Sequence, residues 1–217
     1  MSDIFQEVDE EVRREQLKKL WDRYGIFVVI AAILVVAAIG AWRGYQWWEA
    51  KKAAEAGAAF EAASTLAETG KHSEAEAAFA KIAADGTAGY RHLARLREAA
   101  ALAQGDAKAG VAVYDKIAAD GAVGQVLQDL AALRAGALLV DTTSFAEARQ
   151  RLEPLTGDDR TFRHTARELL MLAAWRAGDS TAAKRWFDMI IADVQTPAAT
   201  RSRVEMLMAL GATASKS

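Results

Sequence analysis

The chain has 217 residues and no cysteine, which excludes disulfides, a thiol nucleophile and a cysteine-based metal site. Its 27 basic and 29 acidic side chains give a formal net charge of −2, so charge offers no argument for binding nucleic acid. Only two prolines are present and alanine is abundant, which predicts an almost entirely helical protein.

A charged tail, residues 1–23, comes first. The spacing of Val12, Leu17 and Leu20 predicts an amphipathic helix. Five basic residues precede the apolar stretch that follows, and three lie within a comparable distance after it. Because the more basic flank of a membrane helix stays in the cytoplasm, we predict a cytoplasmic tail and place the remainder outside the cytoplasm.

Residues 24–42 are the most apolar stretch of the chain and carry no charge. As a helix they would extend about 28 Å, close to the ~30 Å hydrocarbon core of a bilayer. We therefore predict a transmembrane helix over residues 24–43, with the lipid bilayer as its surroundings. Aromatic and cationic side chains flank it, as expected at headgroup depth. The predicted interface anchors are Trp21, Arg23, Trp42, Arg43, Trp47 and Trp48.

Two other interpretations of the apolar stretch are a buried helix of a soluble domain and a cleaved signal peptide. A buried helix rarely runs so long without a charge. The sequence Ala38-Ile39-Gly40 resembles a signal-peptide cleavage site. However, the apolar run exceeds the usual ~7–15 residues, and the segment before it is long and acid-rich. An uncleaved anchor is favoured.

After a predicted connecting helix over residues 44–68, which would cap the first unit, the sequence repeats itself. The segment FAKIAADG, starting at Phe79, returns 35 residues later as YDKIAADG, starting at Tyr114. Weaker copies start at Leu152 and Phe187. A period of about 34 residues predicts stacked helical hairpins, because one hairpin cannot bury its apolar stripe alone.

The repeat domain, residues 69–217, is predicted to contain four pairs of helices. Ser73 and Ser144 are each followed three residues later by glutamate, the spacing of a capping box at a helix start. Gly86 and Gly121 stand where helix C-caps belong. The predicted helices cover residues 73–84 and 88–103, 107–119 and 122–140, 145–154 and 161–177, and 180–193 and 197–211.

These units resemble the tetratricopeptide repeat. If the turn at Gly178 is the mid-repeat turn, Ala183 and Phe187 occupy the small and aromatic positions of that pattern. In the second copy, Tyr114 keeps the aromatic position, but Gly110 replaces the alanine. The resemblance implies an all-α fold: a single N-terminal transmembrane helix followed by a tetratricopeptide-like helical-hairpin solenoid.

Tail, anchor and repeats together resemble the bacterial ancillary SecYEG translocon subunit family. The membrane exit GAWRGYQWW, residues 40–48, is the most family-like stretch. The resemblance implies an inner-membrane protein with a periplasmic repeat domain, associated with SecYEG and with a membrane-anchored periplasmic chaperone of the prolyl-isomerase type. It implies a non-enzymatic adaptor that assists the handling of exported proteins, with a tail linked to envelope-stress signalling. The alternative is an envelope-assembly or cell-division scaffold of the same design.

No pattern in the sequence indicates catalysis, a cofactor or a metal. The three histidines, His72, His92 and His164, do not stand in a metal-binding motif. Residues 105–110 resemble a phosphate-binding loop but lack the Lys and Ser/Thr that would have to follow. We therefore predict that the protein is not an enzyme.

The predicted binding surface is the concave side of the stacked repeats, lined by the first helix of each repeat. These helices are expected over residues 88–103, 122–140 and 161–177. Their arginines would bind carboxylates or an extended acidic peptide; alternatively, they form the ordinary solvated face of amphipathic helices. The predicted partner-binding residues are Arg91, Arg95, Gln128, Arg134, Arg163 and Arg167, with Arg97 as a further candidate.

Overall fold

The computed structural model describes the backbone of residues 3–214 and the side chains of residue 14 and residues 17–210. All regular secondary structure in that part of the chain is helical, which confirms the predicted all-α class. Short 3₁₀ turns at Gly121–Val123 and Glu153–Leu155 interrupt the series. The α-helices are α1 (Asp3–Glu68), α2 (His72–Asp85), α3 (Ala88–Gly105), α4 (Ala107–Ala118), α5 (Gln125–Leu139), α6 (Phe145–Leu152), α7 (Arg163–Arg176), α8 (Ser180–Ala192) and α9 (Ala198–Ala214).

Each predicted helix of the repeats is present, and the differences lie at the ends. Helix α5 begins three residues later than predicted, because residues 121–123 form a 3₁₀ turn and Gly124 adopts a φ of +81°. A positive φ is readily available only to glycine. Helix α6 ends at Leu152 because Pro154 follows within a 3₁₀ turn and its ring cannot continue an α-helix.

Two of the four predicted capping positions are correct. Ser144 accepts a hydrogen bond from the backbone N–H of Glu147, whose carboxylate accepts one from the backbone N–H of Ser144. Gly86 is the C-cap of α2. The prediction for Ser73 is wrong, because α2 begins one residue earlier and its N-cap residue makes no side-chain bond. Gly121 does not end α4 either; that helix is capped by Ala119.

The chain divides into two compact units, Met1–Glu55 and Ala56–Ser217. In the first unit, the apolar side chains of the predicted membrane segment project away from the protein; Val36, for example, is 69% exposed. Aromatic rings and cations lie close together after this segment: the Nζ of Lys52 lies 3.8 Å from the ring centre of Trp48. A cation over an aromatic face is the kind of pair that suits a membrane–water boundary.

In the second unit, the C-terminal part of α1, residues 56–68, packs as the first helix of a first hairpin. The ring of Phe60 lies 5.3 Å from that of Phe79 on α2 and 5.8 Å from that of Tyr90 on α3. Ala63 is completely buried among the same residues. The following hairpins are α3–α4, α5–α6 and α7–α8, with α9 packed on the last of them.

The hairpins pack closely because small residues lie where helices cross. A Cβ atom on Gly110 of α4 would lie 2.5 Å from the Cβ and 2.8 Å from the Cα of Ala103 on α3. Likewise, the side chain of Leu152 on α6 occupies the space that a Cβ atom on Gly136 of α5 would need. The glycine that replaces alanine at position 110 is therefore a consequence of close helix packing.

We expect Gly110→Ala to lower the free energy of unfolding by about 1–3 kcal/mol, because the added methyl meets backbone atoms that cannot move aside. Gly89→Ala is the matched control: its Cβ would meet nothing within 4 Å, so it should be neutral or slightly stabilising. Urea unfolding of the detergent-solubilised chain, followed by circular dichroism, measures both. Equal stability of the two variants would contradict the close packing.

Candidate partner-binding groove

A groove of about 430 Å³ lies between the first helices of three consecutive hairpins. Its walls come from the end of α1, from one face of α3 and from α5, and Tyr114 of α4 lies between them. This is the surface expected to bind partners in stacked helical repeats. The lining residues are Phe60, Leu93, Leu96, Arg97, Ala100, Tyr114, Leu130 and Arg134.

The α3 side of the groove follows from helical spacing. Leu93, Leu96, Arg97 and Ala100 recur at intervals of three and four residues, so they share one face of the helix. Leu96 is only 9% exposed and packs into the core, whereas Leu93 is 45% exposed within the groove. The groove therefore presents apolar surface to solvent.

Two arginines bring positive charge to this apolar groove. Arg97 on α3 and Arg134 on α5 are both exposed, and neither forms an ion pair with any residue that the structure describes. Both lie close enough to Tyr114 to affect its pKa. Burial of the phenol raises that pKa above its usual value, and the two cations oppose the rise only in part. Tyr114 therefore stays protonated and can donate a hydrogen bond.

The residues that we predicted to bind partners do not form one group. Arg134 lines the groove, whereas Arg91 is exposed on α3 outside it. Arg95 binds Asp120 at 2.6 Å. The side-chain amide of Gln128 donates to the backbone carbonyl of Ala118 at 3.1 Å, which joins α5 to the end of α4.

A model of the tetratricopeptide repeat-like domain matches residues 18–209. The chain belongs to this family. The match extends over both the apolar part of α1 and the repeats that follow. No curated protein and no solved structure matches the chain.

The part of α1 that precedes the repeats is long and apolar enough to cross a membrane, and among the described residues it is the only helix that is. The predicted anchors on either side of the apolar stretch are exposed. Trp21 and Trp42 are 62% and 63% exposed, and Trp47 is 67% exposed. Arg23 and Arg43 are also exposed. These side chains are available to meet lipid headgroups if the helix lies in a bilayer.

The last tetratricopeptide-like repeat contains a different cluster, in which Arg163 and Arg167 of α7 both bind Asp193 beyond the end of α8. The N···O distances are 3.0 and 2.9 Å. Arg167 is 3% exposed and also donates two hydrogen bonds to the carbonyl of Thr156, at 3.1 and 2.7 Å. Its guanidinium thus connects α7, the loop before it and the end of α8.

The electrostatics of this cluster stabilise the fold. The pKa of Asp193 falls from 3.8 to about 2, chiefly because Arg163 donates a hydrogen bond to its carboxylate. A depressed carboxyl pKa adds stability at pH values above the ordinary pKa, and that contribution disappears as the pH falls toward 2. His164 has a lowered pKa because it is partly buried beside Arg163, so it is mainly neutral at pH 7.

An open cavity of about 520 Å³ lies over this cluster. The arginines and aspartates that line the cavity already bind one another. Among the residues that the structure describes, no group of three potential metal ligands comes together. The groove between α3 and α5 is therefore the better candidate for binding a partner.

Our sequence analysis did not predict the arginine–aspartate pairs, although the sequence contains a pattern that indicates them. Asp120 and Asp193 are the seventh residues of two copies of the repeated segment. Asp120 binds Arg95, which lies 25 residues earlier, and Asp193 binds Arg167, which lies 26 residues earlier. Each arginine is on the first helix of the same hairpin. An arginine at that distance before the repeated aspartate is the pattern that would have identified them as pairs within a repeat.

We expect Arg167→Met to lower the free energy of unfolding by about 1–3 kcal/mol, since the carbonyl of Thr156 would lose its buried donors. Arg91→Met, which changes an exposed arginine, should alter it by less than about 0.5 kcal/mol. Urea unfolding at pH 7 compares the two variants. If Arg167→Met were as stable as Arg91→Met, the proposed role of Arg167 in holding the last repeat would be wrong.

Proposed function

We propose that this protein is a non-enzymatic, membrane-tethered adaptor of the bacterial inner membrane. The single observation that carries the proposal is the association, within one family match over residues 18–209, of a membrane-length apolar helix with tetratricopeptide-like repeats. Repeats of this kind bind other proteins, and their binding surfaces are extended and concave. The groove between α3 and α5 supplies such a surface here.

The proposed partners are the SecYEG protein-export channel and a membrane-anchored periplasmic chaperone of the prolyl-isomerase type. The order of the segments supports this proposal: a charged tail, one apolar helix, the GAWRGYQWW exit at residues 40–48, and then the repeats. In this role the adaptor holds a chaperone near the channel exit, where newly exported chains emerge unfolded. It assists them by contact and does not break bonds.

The proposed orientation has the N-terminus in the cytoplasm and the repeats in the periplasm. The excess of basic residues before the apolar segment supports it, since such residues are retained on the cytoplasmic side. Absence of cysteine also suits a domain in an oxidising compartment.

Single cysteines test the orientation cleanly, because the chain has none of its own. Ser73→Cys places a thiol at an exposed position of α2, and Ser2→Cys places one in the tail. In spheroplasts, a membrane-impermeant maleimide should label Ser73→Cys at once, but should label Ser2→Cys only after the membrane is lysed. Labelling in the opposite order would contradict the orientation, and labelling of both without lysis would contradict an intact anchor.

Crosslinking in intact membranes tests the partners. After detergent extraction and purification of the tagged chain, mass spectrometry should find the channel subunits and a periplasmic prolyl-isomerase-type chaperone enriched over the same membranes with an untagged chain. Enrichment of cell-division or outer-membrane assembly factors instead would reject the export assignment. That result would favour an envelope scaffold built on the same anchor and repeats.

A further inference from the structure

We propose that the groove between α3 and α5 binds an extended peptide segment of a partner in which an aspartate or glutamate is flanked by bulky apolar side chains. The inference rests on the proposed adaptor function and adds to it the site and the chemistry of the bound segment. It depends on three independent features of the groove: its apolar walls, two arginines without an ion-pair partner among the described residues, and a tyrosine hydroxyl that faces the groove.

The apolar walls are provided by Phe60, Leu93, Leu96 and Leu130, which come from three different helices. Leu93 remains 45% exposed although the leucine one turn later is buried in the core. The groove volume of about 430 Å³ falls within the ~300–1,000 Å³ of typical ligand sites. It can accommodate a few apolar side chains of an extended peptide.

The arginines of the groove lack acidic partners among the described residues, whereas other arginines on the first helices are paired with aspartates. Arg95, Arg163 and Arg167 lie on first helices of the repeats, and each binds an aspartate. Arg97 and Arg134 have no such partner among the described residues. A guanidinium beside an apolar surface binds a carboxylate more strongly than one in open water does, because the pair is partly shielded from solvent.

The acidic side chains of the same helices do not neutralise the groove. Asp129 of α5 is 6% exposed and binds Arg160 at 3.3 Å and the amide of Gln125 at 2.7 Å. Glu98 of α3 faces Glu76 of α2, and burial together with this neighbour raises its pKa. No acidic residue is among those that line the groove, so a carboxylate that binds there is supplied by another molecule.

Tyr114 is the third feature. It is only 4% exposed, yet it lines the groove, and its hydroxyl makes no hydrogen bond with any described residue. The hydroxyl oxygen is not among the buried side-chain atoms that lack a partner, so it is accessible at the groove surface and can donate to a group that enters there. A carboxylate held by Arg97 and Arg134 would accept the hydrogen bond that this hydroxyl can donate, so one ligand group satisfies all three side chains.

The test uses the chain of residues 1–217 in phosphatidylcholine nanodiscs. The probe is a fluorescein-labelled nonapeptide in which two glutamates alternate with three leucines between Gly-Ser ends. Fluorescence anisotropy measures binding. We expect saturable binding that weakens about tenfold or more when glutamine replaces both glutamates, because charge-assisted hydrogen bonds are lost. Replacing the leucines with serine should weaken binding to a similar extent. Absence of saturable binding, or equal binding of the glutamine peptide, overturns the proposal.

Variants assign the binding to this groove. The double variant Arg97→Gln/Arg134→Gln should weaken binding about tenfold or more, and Tyr114→Phe should weaken it about threefold. Lys81→Gln/Lys108→Gln is the matched control, since it removes the same charge from exposed positions outside the groove. An equal loss in the control overturns the proposal. Circular dichroism confirms that each variant is folded.

The same variants separate this proposal from the adaptor function. If wild type and Arg97→Gln/Arg134→Gln recover the channel equally in membranes and the peptide does not bind, the groove proposal is wrong and the adaptor function stands. If the peptide binds with the expected preferences but the channel is not recovered, the groove proposal stands and the export assignment is wrong.

Discussion

Close packing between neighbouring helices is the constraint on which the repeat domain depends. Ala75, Ala94, Ala99 and Ala131 are completely buried, and each has so small a side chain that the helices on either side can approach closely. Large side chains then fill the remaining space, as Trp186 does in the last repeat. Because every hairpin covers only one face of its neighbour, stability is shared along the series and does not arise in any single hairpin.

The same packing creates the groove. Tyr114 stands at the aromatic position of the repeated segment and packs against the core, but its neighbour at the small position is Gly110. Absence of a side chain there lets α4 lie against Ala103 of α3. Tyr114 consequently ends between α3 and α5, where its hydroxyl meets the groove. A departure from the repeat pattern is thus located beside the candidate binding surface.

The arginines of the first helices have two different roles in the structure. Arg95 and Arg167 bind aspartates and connect helices within a repeat, so their contribution is to the fold. Arg97 and Arg134 line the groove without a described partner. All four arginines lie on first helices of the repeats. The two pairs differ only in the side of the helix from which the side chain projects. Two residues along α3, from Arg95 to Arg97, turn the side chain by more than half a turn of the helix.

Hydrophobic pattern and repetition in the sequence determined the helical class, the hairpins, the apolar segment and the capping box at Ser144, because all of these depend on contacts between residues close in the chain. The roles of the individual arginines were decided only in the tertiary structure. Pairing of Arg167 with Asp193 depends on residues 26 positions apart meeting across a hairpin. Likewise, the groove exists because Phe60, Arg97 and Arg134 come together from three helices. No local pattern in the sequence encodes the distances between these residues in space.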